Sequence, residues 1–257
     1  MKSLQIILLT YNEEVNIART LDDITSYGFE NIVVYDSGST DKTLEIIKNY
    51  NVKVIQHTYI DHCSTYNKIT INLDYDYYII LDSDTYLSAE LVSYIENIMK
   101  YGSKYDVFKA KVDIYIEGIK LKYGSLYPDK PFLFKSGKEY FIKSGHGEEL
   151  RTKNVDTLPG RLNHDDRKEY SDVLMKQLKY IDRAYKIYLN PSKDQQSPMK
   201  DKIRFSSGLW IFITGTYIFF IKKAFLSGRV GGLYIVNRLI VELLYYRKGL
   251  LEKLKNK

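Results

Sequence analysis

An α/β fold built on a mostly parallel sheet is what the sequence predicts, on three observations. Short apolar runs rich in β-branched and aromatic residues alternate with helical periodicities from Ser3 to Tyr101. Each apolar run stops abruptly at polar, turn-forming residues. The chain has 257 residues, enough for one large domain or a domain with an appendage. Alternation of this kind implies parallel strands with helices on both faces. Ligands of such sheets sit outside the carboxyl ends of the strands.

Taken in order, Ser3–Leu9 reads as a first strand, ending in Thr10-Tyr11-Asn12-Glu13-Glu14. Asn16–Thr25 follows as a helix with Ile17, Leu21 and Ile24 on one face. Asn31–Tyr35 is a second strand, ending in Asp36-Ser37-Gly38-Ser39-Thr40-Asp41, and Thr43–Tyr50 a second helix. Val52–Gln56 is a third strand, and Asp61–Asp74, with Tyr66-Asn67-Lys68, a third helix. Tyr77–Leu81 is a fourth strand, ending in Asp82-Ser83-Asp84, before a helix over Glu90–Tyr101. Thr10, Asp36 and Asp82 are distant in sequence, yet this topology brings all three to one crevice.

Asp82 and Asp84 are the centre of the reading. Strand alternation points residues i and i+2 the same way. Two carboxylates on one face raise each other's pKa unless a cation lies between them. A hard cation, Mg²⁺ or Mn²⁺, suits oxygen ligands of this kind and commonly bridges carboxylates to substrate phosphates. The competing reading is a polar turn, with Asp84 capping the next helix. Asp36 admits two readings as well: a tight turn, or an acceptor for a nucleobase N–H or a ribose hydroxyl. No Gly-rich phosphate loop of either common type is present, so nucleotide phosphates would be held through a metal.

These motifs together resemble the family 2 glycosyltransferases of GT-A fold. The resemblance rests on Leu9-Thr10-Tyr11-Asn12-Glu13, Asp36-Ser37-Gly38-Ser39-Thr40-Asp41, Asn67 and Asp82-Ser83-Asp84, and covers about residues 1–170. It implies transfer of a sugar from a nucleotide-diphosphate donor, UDP-linked, with inversion at the anomeric carbon. It implies that Asp36 meets the base, that Thr10, Tyr11 and Glu13 border the nucleoside, and that Asn67 and Lys68 lie near the donor. Asp82 and Ser83 then stand by ribose and metal, and Asp84 binds the metal. Two residues depart from the pattern: Tyr66 stands where Arg is common, and Thr85 where an acid often follows.

In the second half, Asp106–Ile116, Phe132–Phe134 and Glu139–Ile142 read as strands, and Gly145-His146-Gly147-Glu148-Glu149 as a glycine-flanked turn. An inverting transfer needs a carboxylate to take the acceptor's proton. Glu148 is the first candidate for that base and Glu149 the second. His164 is a candidate third metal ligand, the resemblance often supplying a late histidine, against a structural role. Arg167 and Lys168 are candidates for neutralising the leaving diphosphate. Ser171–Tyr188 reads as a long amphipathic helix.

The expected domains are a catalytic GT-A domain over residues 1–189, a linker at 190–202, and a basic, apolar helical segment at 203–257. From Lys200 onward there are 12 basic and 3 acidic residues, leaving 26 and 29 before it. The run from Phe205 to Ile221 holds 17 uncharged residues, the lower limit for spanning a bilayer. Leu233–Tyr246 reads as an amphipathic helix. Apolar, aromatic and basic residues together predict an interfacial membrane anchor rather than a nucleic-acid arm. The alternatives are a helical hairpin packed on the domain, or a homodimer contact. The stretch Lys222–Gly249 resembles the tail of bacterial glycosyltransferases that build surface glycans and lipopolysaccharide core. The lone cysteine, Cys63, fits a reducing compartment, and the first residues read as a strand rather than a signal segment. The expectation is a peripheral enzyme at the cytoplasmic face of the inner membrane, with a nucleotide-sugar donor, a glycan or glycolipid acceptor, and no nucleic-acid partner. Two other readings stand beside it: a non-catalytic nucleotide-binding scaffold, and a sugar-phosphate nucleotidyltransferase. The second would want a Gly-rich basic loop where Thr10-Tyr11-Asn12-Glu13 is acidic and Gly-free.

Overall fold

The computed structural model describes residues 2–58, 62–70, 74–138, 140–144, 147–190 and 199–255, without the side chains of 62, 70, 143, 144, 147 and 148. The chain divides into two compact units. The first comprises Met1–Gly118, Tyr127–Phe141 and Leu150–Lys168; the second comprises Ile119–Leu126, Ile142–Glu149 and Glu169–Lys257.

The first unit follows the predicted alternation: Leu4–Thr10 (β1), Ile17–Ser26 (α1), Ile32–Asp36 (β2), Thr43–Ile47 (α2), Lys53–Gln56 (β3), His62–Thr70 (α3) and Tyr77–Asp82 (β4). Thr85–Leu87 (β5), Ala89–Tyr101 (α4), Val107–Ile116 (β6), the two-residue strand Ile119–Lys120 (β7) and Lys130–Lys135 (β8) come next. Phe141–Ser144 (β9) and Gly147–Leu150 (β10) pair with one another, and Val155–His164 (β11) closes the set. In the main sheet the strands run in the order β3-β2-β1-β4-β8-β6-β11-β5. The first four are parallel, as the alternation demands. The apolar runs explain their position: Ile6, Ile7, Leu8, Val34, Tyr78, Ile79 and Leu81 are all buried, and burial of each large side chain contributes roughly 1.5–3 kcal/mol.

Register carries the predicted residues to one edge. Thr10 stands beside Asp36 across the β1–β2 pair, and Leu9 beside Asp82 across β1–β4. Three features depart from expectation. β8 lies antiparallel between β4 and β6, so the sheet is mixed beyond its first four strands. β5 is a short edge strand immediately after Asp84. β11 is a ten-residue strand over a stretch, Pro159-Gly160 included, for which no strand is predicted. The chain absorbs that pair in a bulge: Leu158, Pro159 and Gly160 stand against the single residue Ala110 between the partners Thr157–Lys109 and Arg161–Lys111. Gly160 takes φ +91, in the left-handed region.

Apart from β7 and most of β9 and β10, the second unit is helical: Tyr170–Leu189 (α5), Met199–Ser206 (α6), Leu209–Thr216 (α7), a π-helical turn at Tyr217–Ile221, a 3₁₀ turn at Ala224–Ser227 and Gly228–Lys255 (α8). Ile181, Ala184, Tyr185, Phe205, Val241 and Tyr245 form a core here, so α5 groups with the C-terminal helices rather than with the first unit. Residues 199–202 of the expected linker are helical, and 191–198 lie outside the described residues. The apolar run from Phe205 to Ile221 is broken, α6 and the segment Leu209–Ile221 meeting at a bend of 119°. Gly249 lets α8 approach α6 closely; a Cβ there would lie 1.8 Å from the Phe205 carbonyl oxygen. By length and composition alone, Ala224–Lys255 is long and apolar enough to cross a membrane. Phe212 (73% exposed), Phe220 and Ile221 (66%) are open to solvent, and Lys222 and Lys223 follow Ile221 in the chain.

Candidate functional site: a carboxylate–histidine cleft at the strand ends

The site is built within the first unit, where β1, β2 and β4 end. β4 ends at Asp82, and Ser83 and Asp84 form the turn into β5. Strand alternation therefore does not govern the two aspartates. Asp82 is partly open, its side chain 36% exposed, whereas Asp84 is buried at 3%. Ser83 between them is wholly committed to the scaffold. Its hydroxyl donates to the Leu9 carbonyl at 2.9 Å, and its own carbonyl accepts from the Thr20 hydroxyl at 2.6 Å.

His164 ends β11 directly opposite Thr85 of β5. That pairing sets its ring against Asp84, with Nδ1 3.0 Å from Oδ1. Thr85 donates to the same oxygen at 3.2 Å. Burial would push the His164 imidazole down, but the charge and hydrogen bond of Asp84 outweigh it and its pKa is raised. The Tyr127 ring lies 5.6 Å from the imidazole, centroid to centroid.

A second cluster adjoins Asp84. Glu13, at the entry to α1, is buried and shares its carboxylate between Lys168 Nζ and Asn16 Nδ2 (2.9 Å). Burial raises its pKa, against the opposing charge of Lys168. Asn16 also donates to Asp166 at 2.9 Å. Arg19 bonds the side chain of Asp165 at 3.0 Å and its carbonyl at 2.9 Å, and Arg167 donates to Asp165 at 2.8 Å. One ligand oxygen each from Glu13, Asp84 and Asp166 lie within 4.8 Å of one another.

These groups fit a hard divalent cation. Hard divalent cations take carboxylate oxygens, and the buried Asp84 would offer one here, with His164 beside it. The oxygens of Glu13 and Asp166 complete an oxygen-rich donor set.

The remaining predicted residues fall as follows. Thr10 is buried, and among the described residues its hydroxyl meets no hydrogen-bond partner. Tyr11 is exposed. Asp36 is fully buried and serves its own turn: Oδ2 accepts from the amides of Gly38 (2.9 Å) and Ser39 (3.0 Å), and Oδ1 from the Ser39 hydroxyl (2.5 Å). Asn67 clamps Phe141, donating to its carbonyl at 2.9 Å and accepting from its amide at 3.2 Å. Lys68 and Arg167 are exposed. Glu149 is exposed on β10, and the side chain of Glu148 lies outside the described residues. Lys130, Asp166 and Asn16 are site residues that sequence reasoning missed. Lys130 Nζ lies 2.5 Å from Asp82 Oδ2. Only the antiparallel β4–β8 pairing reveals that contact, and no local motif announces it.

A sheet of this order with acids and a histidine beyond its strand ends defines an α/β protein with a cation-capable cleft. The family model for glycosyl transferase family 2 matches residues 5–147, more than half of the chain, and the chain belongs to that family. It is 34% identical over 101 residues to an uncharacterised glycosyltransferase of Rickettsia typhi, a match covering 38% of this chain and 33% of that protein. It is 44% identical over 52 residues to an uncharacterised protein of Methanocaldococcus jannaschii, covering 20% of this chain and 21% of the other. The match thus spans a third or less of either curated relative. Among solved structures, glucosyl-3-phosphoglycerate synthase from Mycobacterium tuberculosis, in complex with Mn²⁺, UDP and glucosyl-3-phosphoglycerate, superposes with a TM-score of 0.50 at 16% identity, covering 71% of this chain and 80% of that one. That likeness is one of fold, and it agrees with the GT-A expectation.

Proposed function

We propose that this protein is an inverting, metal-dependent hexosyltransferase. Its donor is a nucleoside-diphosphate sugar, UDP-linked, and its acceptor a hydroxyl of a lipid-linked or cell-surface glycan. One observation carries the reading: the Asp84 carboxylate and the His164 imidazole meet 3.0 Å apart at the carboxyl end of β4, two residues beyond Asp82. Family membership supplies the reaction class, and the UDP and Mn²⁺ held by the mycobacterial synthase favour the same donor chemistry.

Asp84 and His164, with Glu13 and Asp166 adjoining, hold Mg²⁺ or Mn²⁺. When bound, the cation supplies Lewis-acid neutralisation of the leaving diphosphate. Thr10, whose hydroxyl meets no partner among the described residues, and Asp36 border the nucleoside. Glu148, or Glu149 after it, takes the proton of the acceptor hydroxyl. The second unit gives the enzyme a peripheral place at the cytoplasmic face of the plasma membrane, in lipopolysaccharide or other surface-glycan assembly. Exposed Phe212, Phe220 and Ile221, followed in the chain by Lys222 and Lys223, support that placement, since apolar and basic surface together favour an anionic bilayer. A homodimer closed through the same surface is the competing occupant, and the molar mass in solution separates the two.

The test is thermal stabilisation by UDP, GDP, CMP and ADP, each with Mn²⁺ and with EDTA. The expected result is a rise in Tm with UDP that EDTA removes. A folded protein that shifts with none of the four overturns the donor-site reading and leaves a scaffold role ahead.

A further inference from the structure

Neither family membership nor the predicted motifs assign a role to Lys130. It opens β8, whose antiparallel register against β4 pairs Tyr77 with Lys135 and Ile79 with Leu133. Continued to the end of β4, that register sets Lys130 opposite Asp82. On its other side Lys130 pairs with Ala110 of β6, and Pro131 follows. Its backbone is therefore fixed inside the sheet. Its side chain is only 19% exposed, and its ammonium reaches Asp82 at 2.5 Å. Tyr66, Tyr127 and His164 are also among its electrostatic neighbours. Tyr127 in turn lies beside His164, so the ammonium borders the candidate cation site without belonging to it.

The two aspartates of the turn are thus each served from within the protein: Asp82 by Lys130, Asp84 by His164. A divalent cation arriving alone meets an Asp82 already neutralised by a fixed ammonium. A nucleoside diphosphate changes that balance, because its oxygens offer the ammonium a second anionic partner.

We propose that Lys130 is a positioning residue that makes cation binding depend on the nucleotide. It holds Asp82 in an internal ion pair while the site is empty. It transfers its charge to the diphosphate when nucleotide and cation enter together, which frees Asp82 to face the ribose and the cation. The proposal rests on the donor-site reading above, but its first test does not.

That test measures Mn²⁺ alone, without nucleotide, by the loss of the free-ion EPR signal on titration with protein. The proteins are wild type, Lys130→Met, Lys130→Arg, Asp82→Asn and the double variant Lys130→Met/Asp82→Asn, each shown folded by its melting transition. Lys130→Met is expected to bind Mn²⁺ about tenfold more tightly than wild type, the size of coupling usual between neighbouring charges. Lys130→Arg keeps the wild-type value, and the double variant returns to that of Asp82→Asn. The second measurement is UDP affinity in saturating Mn²⁺, where Lys130→Met is expected to lose about tenfold and Lys130→Arg to recover it. Unchanged Mn²⁺ affinity in a folded Lys130→Met protein, or equal tightening in the double variant, overturns the proposal. If wild type binds no nucleotide, the donor-site reading fails, while the Mn²⁺ series still decides whether Lys130 competes for Asp82.

Discussion

Arg204 grips Glu242 with two prongs, Nε 2.5 Å from Oε2 and Nη2 3.1 Å from Oε1. Both side chains are buried, and the guanidinium also lies over the Tyr245 ring, 3.2 Å from its centroid. Asp201 and Arg238 extend the cluster at 3.2 Å and 3.3 Å. Breaking a buried pair leaves an uncompensated charge, a loss of about 3–5 kcal/mol. Glu242→Ala is therefore expected to lower the stability of the helical unit by that amount in urea titration. A loss under about 1 kcal/mol, the range of exposed pairs, would show that the cluster is solvated.

His164 and Asp84 predict a pH dependence whose sign follows from the raised imidazole pKa. A group raised on folding stabilises fully below its unfolded pKa, about 6.5 for histidine, and loses that contribution as pH rises through the folded value. In EDTA, wild type should exceed His164→Gln in stability at pH 5.5, and the gap should close toward pH 9. A gap independent of pH would mean that the imidazole is held by packing alone.

Glu13 behaves in the opposite sense. Burial raises its pKa, so ionised Glu13 costs stability above the ordinary carboxylate range unless Lys168 offsets it. Lys168→Met should therefore destabilise the protein at pH 8 and do so much less at pH 4.5, where Glu13 holds its proton. Equal losses at both pH values, measured by chemical denaturation, would assign Lys168 a packing role instead.

Gly160 combines φ +91 with a close approach, since a Cβ would lie 2.7 Å from the Leu91 backbone nitrogen. Gly160→Ala is expected to cost about 1–3 kcal/mol from the backbone conformation alone, with the clash added to it. A melting temperature within a degree of wild type would refute the strain.

Much of the cleft was legible because each strand advertises its own end. Apolar runs stop at Thr10, Asp36 and Asp82, and parallel topology brings such ends together whatever lies between them. His164 was legible from the resemblance, and β11 delivers it to Asp84. What stayed hidden depends on pairings no local pattern encodes. Lys168 reaches Glu13 across 155 residues, and Lys130 reaches Asp82 only because β8 inserts antiparallel into the sheet. Asp36 and Asn67 show the converse. Their motifs did not announce that both side chains hold backbone amides, a role Asp and Asn fill readily for nearby N–H groups. The run from Phe205 to Ile221 reads as one hydrophobic segment, while the 119° bend between its helices depends on packing that hydropathy does not record.

The bulge in β11 has a consequence in the arithmetic of insertions and deletions. Four steps along β11, from Thr157 to Arg161, match two along β6, so the detour adds an even number of residues. Side chains alternate with a period of two, so an even excess leaves His164 on the face it would occupy in a regular strand. Loss of one residue between Leu158 and Gly160 would turn His164 away from Asp84, while loss of two would straighten the strand and keep the pair. Length variation at this point should therefore come in twos among chains that retain the histidine.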